Sequence, residues 1–442
     1  QTPTPSTSEQ AKHWRRRRDR LAARPARDVV LPGDGMVRLT TRETGMHRVF
    51  GKDLAGAGVL LPVASDRLRM FYGGGEMLGR AEAVHSGVEL REQAMVVDDG
   101  GDGLLHKEDS LLFFAESTEA WVFDKTIARY RWRRNDYTLD NVYWIDLDAD
   151  QPPLRLSPHS ATLQDRPDTV INSHRERLHL EEESAVLIQL FGIRSGYDWY
   201  WENFTGNARN YSIFADDPIA DAPVIVRLAF WGRTVGAHTM DIRWNERTKA
   251  QFRFLGADRD SLELVIDEGA VPGLNQLGLV HRDPNLTSLD WLQVEYDRVL
   301  RARDGNVSFD ARVSKSLVAE FQMTGFDDAG KVPRIFAVND SGTAEVVGAA
   351  RVDDSVRFQD RLAAGEERRY VALSDGAWQR PHAIKIDSQA PLRLAVSGAD
   401  YAERGSSRTF RSCELKCSGI CVRMIALVII KLRGRHDNED CN

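Results

Sequence analysis

The sequence predicts a mostly β protein built from several antiparallel β-sandwich or jelly-roll domains. Two patterns predict it. From Met36 to Gly398, short runs of alternating apolar and polar residues are separated by turns rich in Gly, Asp and Pro, which is the period-two signature of half-buried strands. Between Tyr211 and Leu300 five such runs follow at even spacing: Val224–Trp231, His238–Trp244, Ala250–Phe254, Ser261–Ile266 and Leu289–Tyr296. Even spacing of short strands is the pattern of a sandwich or jelly roll. A third observation bounds the β region, because no cysteine occurs before Cys413 and the alternation stops near Tyr401.

A chain of 442 residues is long enough for roughly two to four domains. Its 42% hydrophobic and 28% charged residues fit a soluble globular protein and argue against wholesale disorder. A net charge of -7 argues against a nucleic-acid partner, since phosphate-binding surfaces carry a basic excess. No stretch supplies the ~20 apolar residues of a transmembrane segment; Met424–Ile430 is too short and is flanked by Arg423 and Lys431. The chain begins at Gln1, so the expectation is a fragment or processed form without its signal peptide. A cysteine-free body fits an exported protein that needs no disulfides, and a cytosolic one equally. Oligomeric state is not legible in these features.

Taken in order, residues 1–34 form a flexible arm of Thr, Pro, Ser, Arg and Ala. Its basic run Arg15–Arg18 reads as a solvated tail, with a phosphate or membrane-surface contact as the alternative. An N-terminal β domain over 35–160 opens with Val37, Leu39 and Thr41 alternating with Arg38, Thr40 and Arg42. Asp53–Gly58 predicts a short helix with a glycine stop. Leu68–Tyr72 is a strand, and Gly73–Gly75 a hairpin turn. Val96–Gly103 is an acidic and glycine-rich turn leading to the apolar strand Ser110–Phe114. Hard cations need several close oxygens, so Asp98, Asp99, Asp102 and Asp109 are calcium candidates, although their spacing does not match a helix-loop-helix site and a plain turn is favoured. Aromatic strands follow around Tyr130–Trp132 and Asn141–Ile145.

Residues 161–210 are expected to connect domains. Glu181–Phe191 is open between helix and strand, and Ser195–Glu202 is an aromatic cluster that packs at a junction or stacks on a sugar. The jelly roll spans 211–305. Its Trp231, Trp244 and Trp291 are candidates for stacking on a ligand ring, with core packing favoured because each sits in an alternating strand. A further β domain over 306–398 contains runs at Val307–Asp310, Leu317–Phe321, Arg334–Val338, Ala344–Val347, Val356–Phe358 and Arg369–Leu373. Pro381–Ile386 is expected to lead into a following domain. Residues 399–442 read as an aberrant tail.

Several of these pieces stand in a recognisable order: Thr44–Arg48; Leu68–Tyr72 with the glycine turn and Glu76; Asp102-Gly103 with Asp109 before Leu111–Phe113; and Tyr137-Thr138 before Asn141–Trp144. Together they resemble the N-terminal, non-catalytic region of gingipain-type cysteine peptidases, most of all the sortase-like relatives of the type IX secretion system. The resemblance covers roughly residues 36–401. It implies an exported or cell-envelope protein whose β region packs against a peptidase core and meets protein substrates.

The core itself is not legible here. In that family an Ala-Asp-Tyr leads into an apolar strand, then a His-Gly and a later cysteine. Ala399-Asp400-Tyr401 is present, yet it runs into Ala402–Arg408, and none of the eleven histidines precedes a glycine. A cysteine peptidase needs a thiolate beside a histidine base, so no catalytic residue is assigned and truncation or a frame error after Tyr401 is expected. Cys413, Cys417, Cys421 and Cys441 with His436 offer zinc ligands, but steps of four residues fit no common zinc knuckle. His238, His281 and His382 lie near carboxylates in sequence and read as ordinary core or surface residues. No phosphate-cradling or dinucleotide motif is present, so no cofactor is expected. The alternative function class is a carbohydrate-binding or adhesion sandwich without enzymatic activity.

Overall fold

The computed structural model describes residues 35–75, 77, 90–163, 166–186, 199–327, 330–339 and 342–387. All lie in the first of two compact units, Gln1–Ser388. The predicted arm, the residues of the aromatic cluster before Trp199, the Ala-Asp-Tyr and the cysteine tail fall outside them. Among the described residues the fold is mostly antiparallel β, with one six-residue α-helix, Gly51–Gly56, and one 3-10 turn.

Three hydrophobic cores are nested along the chain rather than strung in sequence. The outermost holds Leu39, Val49, Leu111, Phe113 and Tyr143. Its main sheet runs Ala383–Ile386, Val37–Thr41, Asn141–Asp146, Arg69–Tyr72, Arg91–Gln93, so the last described strand pairs with the first. Ala383–Ile386 thus closes the outer sheet against its first strand; Gly35 donates to the carbonyl of Asp387 at 3.0 Å, and Asp387 to that of Met36 at 2.7 Å. Gly73–Gly75 does not close a tight hairpin, because the partner of Arg69–Tyr72 resumes only at Arg91.

The second core gathers Phe309, Phe321, Phe358 and Tyr370 between two sheets. Residues 306–373 supply most strands, all six predicted runs among them. Ser157–Ser160 and Thr169–Ile171 add an edge to each sheet by parallel pairing with Gly342–Val347 and Leu317–Met323. The innermost core, with Val226, Leu228, Phe230, Trp244, Leu277 and Leu292, is the predicted jelly roll. Its front sheet is Ser173–Glu181, Thr287–Val299, Val224–Gly232, Arg259–Ile266, and its back sheet Ala208–Ala215, Gly273–His281, Ala237–Trp244, Arg247–Leu255.

The boundaries expected from sequence change accordingly. Residues 161–210 are not merely a connection. Ser173–Glu181 and Glu202–Phe204 both pair with the long strand Thr287–Val299, because Leu178, Leu180 and Trp201 complete the jelly-roll core. The outer and middle units meet through Met46 and Phe114 against Phe336, Val371 and Leu373. Arg48 lies over the Trp378 ring at 4.5 Å beside them, a cation-π contact in partly dry surroundings.

Burial also sets a pH response. His47 is 1% exposed and its pKa falls from 6.5 to about 4, because burial disfavours the imidazolium more than the hydrogen bond to the Gly45 carbonyl restores it. The unfolded chain binds this proton first as pH falls, so the contribution is complete above pH 6.5 and is lost towards pH 4. At pH 5 the loss reaches about 2 kcal/mol. In urea titrations at pH 5 and 7.5, His47→Gln should show a smaller difference between the two pH values than the parent protein.

Candidate functional site

One strand of the front sheet departs from strict alternation. Within Thr287–Val299, Leu289 pairs with Phe230 and Leu292 with Leu228, so Asp290 and Trp291 together oppose Ala229. This is a β-bulge: two residues face one, and the extra residue re-aims its side chain. Leu289 and Leu292 remain fully buried in the core, whereas Asp290 and Trp291 are half-buried and both line one cleft on the outer face.

The rest of that face is polar by register. His179, Gln293, Arg227 and Glu263 sit side by side across the four strands. The alternate residues Leu180, Leu292, Leu228 and Leu262 turn inward to the core. Over this ladder lies the hairpin Ala120–Asp124/Arg129–Arg133. It is anchored by the Trp121 indole N–H to the Arg177 carbonyl at 3.1 Å, by Arg177 over the Tyr130 ring at 3.5 Å, and by Arg129 to Glu263 at 3.2 Å. Trp132 stacks on His179 at 4.8 Å and 13°. Sheet, hairpin and Trp199 enclose a cleft of about 410 Å³.

Most charges lining the cleft neutralise one another. Arg134 holds Glu181 at 2.7 Å and also Glu183, and Arg227 binds Glu263 at 2.6 Å and also Glu295. His179 accepts from Gln293 at Nδ1 and donates from Nε2 to Glu181 at 2.9 Å. Burial raises the Glu183 carboxyl. It acts on Glu181 too, but the hydrogen bond from His179 and the Arg134 charge prevail and lower that group. Asp290 differs: it forms no hydrogen bond or ion pair with another described residue, and its pKa is pushed up to about 7 by burial and by the negative charge of Glu181.

The folded state therefore holds the Asp290 proton between pH 4 and 7, where the unfolded chain has released it. Stability falls with rising pH across that window, and the whole penalty is present above pH 7. Asp290→Asn removes it. The variant should gain about 1–2 kcal/mol over the parent at pH 8, after discounting for solvent in an open cleft, and nothing at pH 3.5. Parallel melts at the two pH values read this directly.

The sequence-derived candidates fall in separate places. Trp291 lines the cleft, Trp244 is 0% exposed in the jelly-roll core, and Trp231 is covered by Tyr200 in edge-on contact at 5.3 Å and by Arg259. The four aspartates do not converge. Asp99 accepts the Gly101 N–H, Asp102 the Leu104 N–H, Asp109 the His106 N–H, and Asp98 binds Arg334. Trp199 belongs to the Ser195–Glu202 cluster, for which sugar stacking is the alternative to packing at a junction, whereas Trp132 and Asp290 carry no such reading from sequence. The legible signal was the spacing Leu289-x-x-Leu292, three residues where a regular strand has two.

Among the described residues one other cluster has ligand chemistry, His238, His281 and Asp283. Its histidines are already satisfied. Gly206 N–H donates to His281 Nδ1, His281 Nε2 lies 2.9 Å from Thr287 Oγ1, and that oxygen lies 2.8 Å from His238 Nδ1. His238 Nε2 donates to the Thr234 carbonyl at 3.0 Å. A single proton direction along this chain fits two neutral imidazoles, and burial lowers the His281 pKa accordingly. The network ties the back sheet to the front one at Thr287. At Gly232 a Cβ would stand 2.6 Å from His238 Nε2, so glycine is what lets the imidazole approach.

No protein-family model and no curated protein matches the sequence. Among solved structures, the dimeric latent PorU of Porphyromonas gingivalis matches with a TM-score of 0.63 at 15% identity, covering 80% of this chain and 33% of that one. Two carbohydrate-binding modules also match. One is the CBM36-1 domain of a multidomain xylanase from the hindgut metagenome of Trinervitermes trinervoides, with a TM-score of 0.20, 14% identity, and 27% of this chain against 96% of that one. The other is a CBM36 in complex with calcium and xylotriose, with a TM-score of 0.21, 15% identity, and 26% of this chain against 98% of that one. Those two TM-scores support no argument, so the fold likeness rests on PorU. The chain spans about a third of the length of PorU and shares the fold of that part, a PorU-like assembly of antiparallel β-sandwich units.

Proposed function

We propose that this chain is the non-catalytic, β-rich N-terminal region of a secreted, gingipain-type cysteine endopeptidase acting in proteolysis or protein sorting at the cell envelope. The observation that carries the reading is the fold likeness to PorU over 80% of the chain. The ordered motifs from Thr44 to Trp144 agree with it. In this reading the β region packs against the peptidase core of the same parent protein and helps to present protein substrates to it. The Cys–His pair would belong to that core, since the described residues contain no cysteine. Fold alone does not carry activity, so the test is genetic and then enzymatic.

Sequencing the gene across the codons for Val396–Cys421, and translating three frames downstream, should reveal an apolar strand after Asp400-Tyr401, then His-Gly and a later cysteine. A chain restored in that frame should cleave peptides in a thiol-dependent way. Absence of such a frame overturns the reading in favour of a carbohydrate-binding or adhesion protein without peptidase activity.

A further inference from the structure

We infer that the cleft between the hairpin Ala120–Asp124/Arg129–Arg133 and the front sheet of the jelly roll is a binding site for a neutral saccharide, with Trp291 and Trp199 as stacking surfaces and Asp290 as the polar contact. The inference stands independently of the peptidase reading, since it uses only groups of this chain.

Three observations carry it. The bulge opposite Ala229 places an indole and a carboxyl side by side on the solvent side of an otherwise regular sheet, a position that alternation would deny to one of them. The Asp290 carboxyl is half-buried in a cleft of about 410 Å³ and has no protein partner among the described residues. Its oxygens stay within reach of water, so a ligand hydroxyl can take the place of that water on the carboxyl. Trp199 remains 43% exposed at the same cleft, leaving an apolar ring available to a ligand.

Charge selects the class of ligand. The lining carries Arg129, Arg131, Arg134, Arg227 and Arg259 against Asp136, Glu181, Glu183 and Asp290. That balance offers no excess negative charge to hold a cationic side chain over the tryptophans. A phosphate or carboxylate ligand would meet the unpaired Asp290. A pyranose ring is neutral, presents C–H faces to indoles and carries hydroxyl pairs that one carboxyl can bridge. Mixed apolar lining with a few converging polar groups is the usual make-up of such sites.

The test uses the full chain with cellohexaose, xylohexaose, laminarihexaose and chitohexaose, read by tryptophan fluorescence and calorimetry. At least one probe should bind saturably at millimolar or lower concentration. Trp199→Ala and Asp290→Asn should each weaken that binding at least five-fold with unchanged circular dichroism, and Trp291→Ala at least ten-fold. Trp231→Phe, outside the cleft, should bind as the parent does. The proposal is overturned if no probe binds saturably up to 5 mM, if binding survives undiminished in Trp199→Ala and Asp290→Asn, or if oligo-lysine binds in the cleft while every saccharide fails.

Discussion

Asp360→Ala is expected to lower the unfolding free energy by about 2–4 kcal/mol. Asp360 is 4% exposed and lies on Ser355–Leu362 in one sheet. Its partners come from the other sheet: Arg368 at 2.5 Å and the Tyr370 hydroxyl at 2.5 Å from Glu367–Leu373, and His159 at 2.8 Å from Ser157–Ser160. One carboxylate thus joins the two sheets across the core edge. Removing it leaves a fully buried hydroxyl without its acceptor and an 8%-exposed guanidinium with Glu366 as its remaining ion-pair partner, and a buried polar group left unsatisfied costs more than the bond itself contributed. Replacing Asp360 by Leu together with Arg368 by Met should cost much less than the single change. Urea unfolding of the three proteins checks this; equal loss in the single and double variants would refute it.

Trp244→Ala should cost a similar amount, about 3–5 kcal/mol, and should do so without any specific effect on ligand binding. The indole is fully buried between the two jelly-roll sheets with Phe204, Ile242 and Leu277 in the same core. Truncation leaves a cavity that a core of close-packed strands cannot collapse into. Its Nε1–H finds no acceptor, so Trp244→Phe, which removes that unsatisfied donor while keeping an aromatic ring, should cost well under half as much. Thermal melts distinguish the two variants, and a parent-like melt for Trp244→Ala would contradict the assignment of this residue to the core.

The contrast between Trp244 and Trp291 shows where sequence reading succeeds. Both tryptophans occupy strands whose sequences alternate over most of their length, and all five strands read between Tyr211 and Leu300 are present, with Trp291 at the bulge of its own. Alternation is a local property, so it survives translation into structure. Three further strands were hidden by their composition. Gly273–His281 buries Asn275 and His281 at its ends, Ala208–Ala215 exposes Phe214 on its outer side, and Ser173–Glu181 carries charges on the face turned to the cleft. The nesting was beyond local reading, because it depends on pairings such as Leu39 with Ile384. The cleft was half legible: Trp291 stood out by type, whereas Asp290 acquires its setting from the hairpin and from Glu181, which is remote in sequence.

The adjacency of Gly35 and Asp387 has a mechanical meaning. Val37–Thr41 and Ala383–Ile386 run antiparallel with these two residues at the same end. Tension applied through the flanking chain would therefore open that pair one rung at a time instead of shearing all its hydrogen bonds together. Ala383–Ile386 would peel away first, while Val37–Thr41 stays bonded to Asn141–Asp146. The jelly roll, enclosed within the other two units, would feel no pull until both had given way.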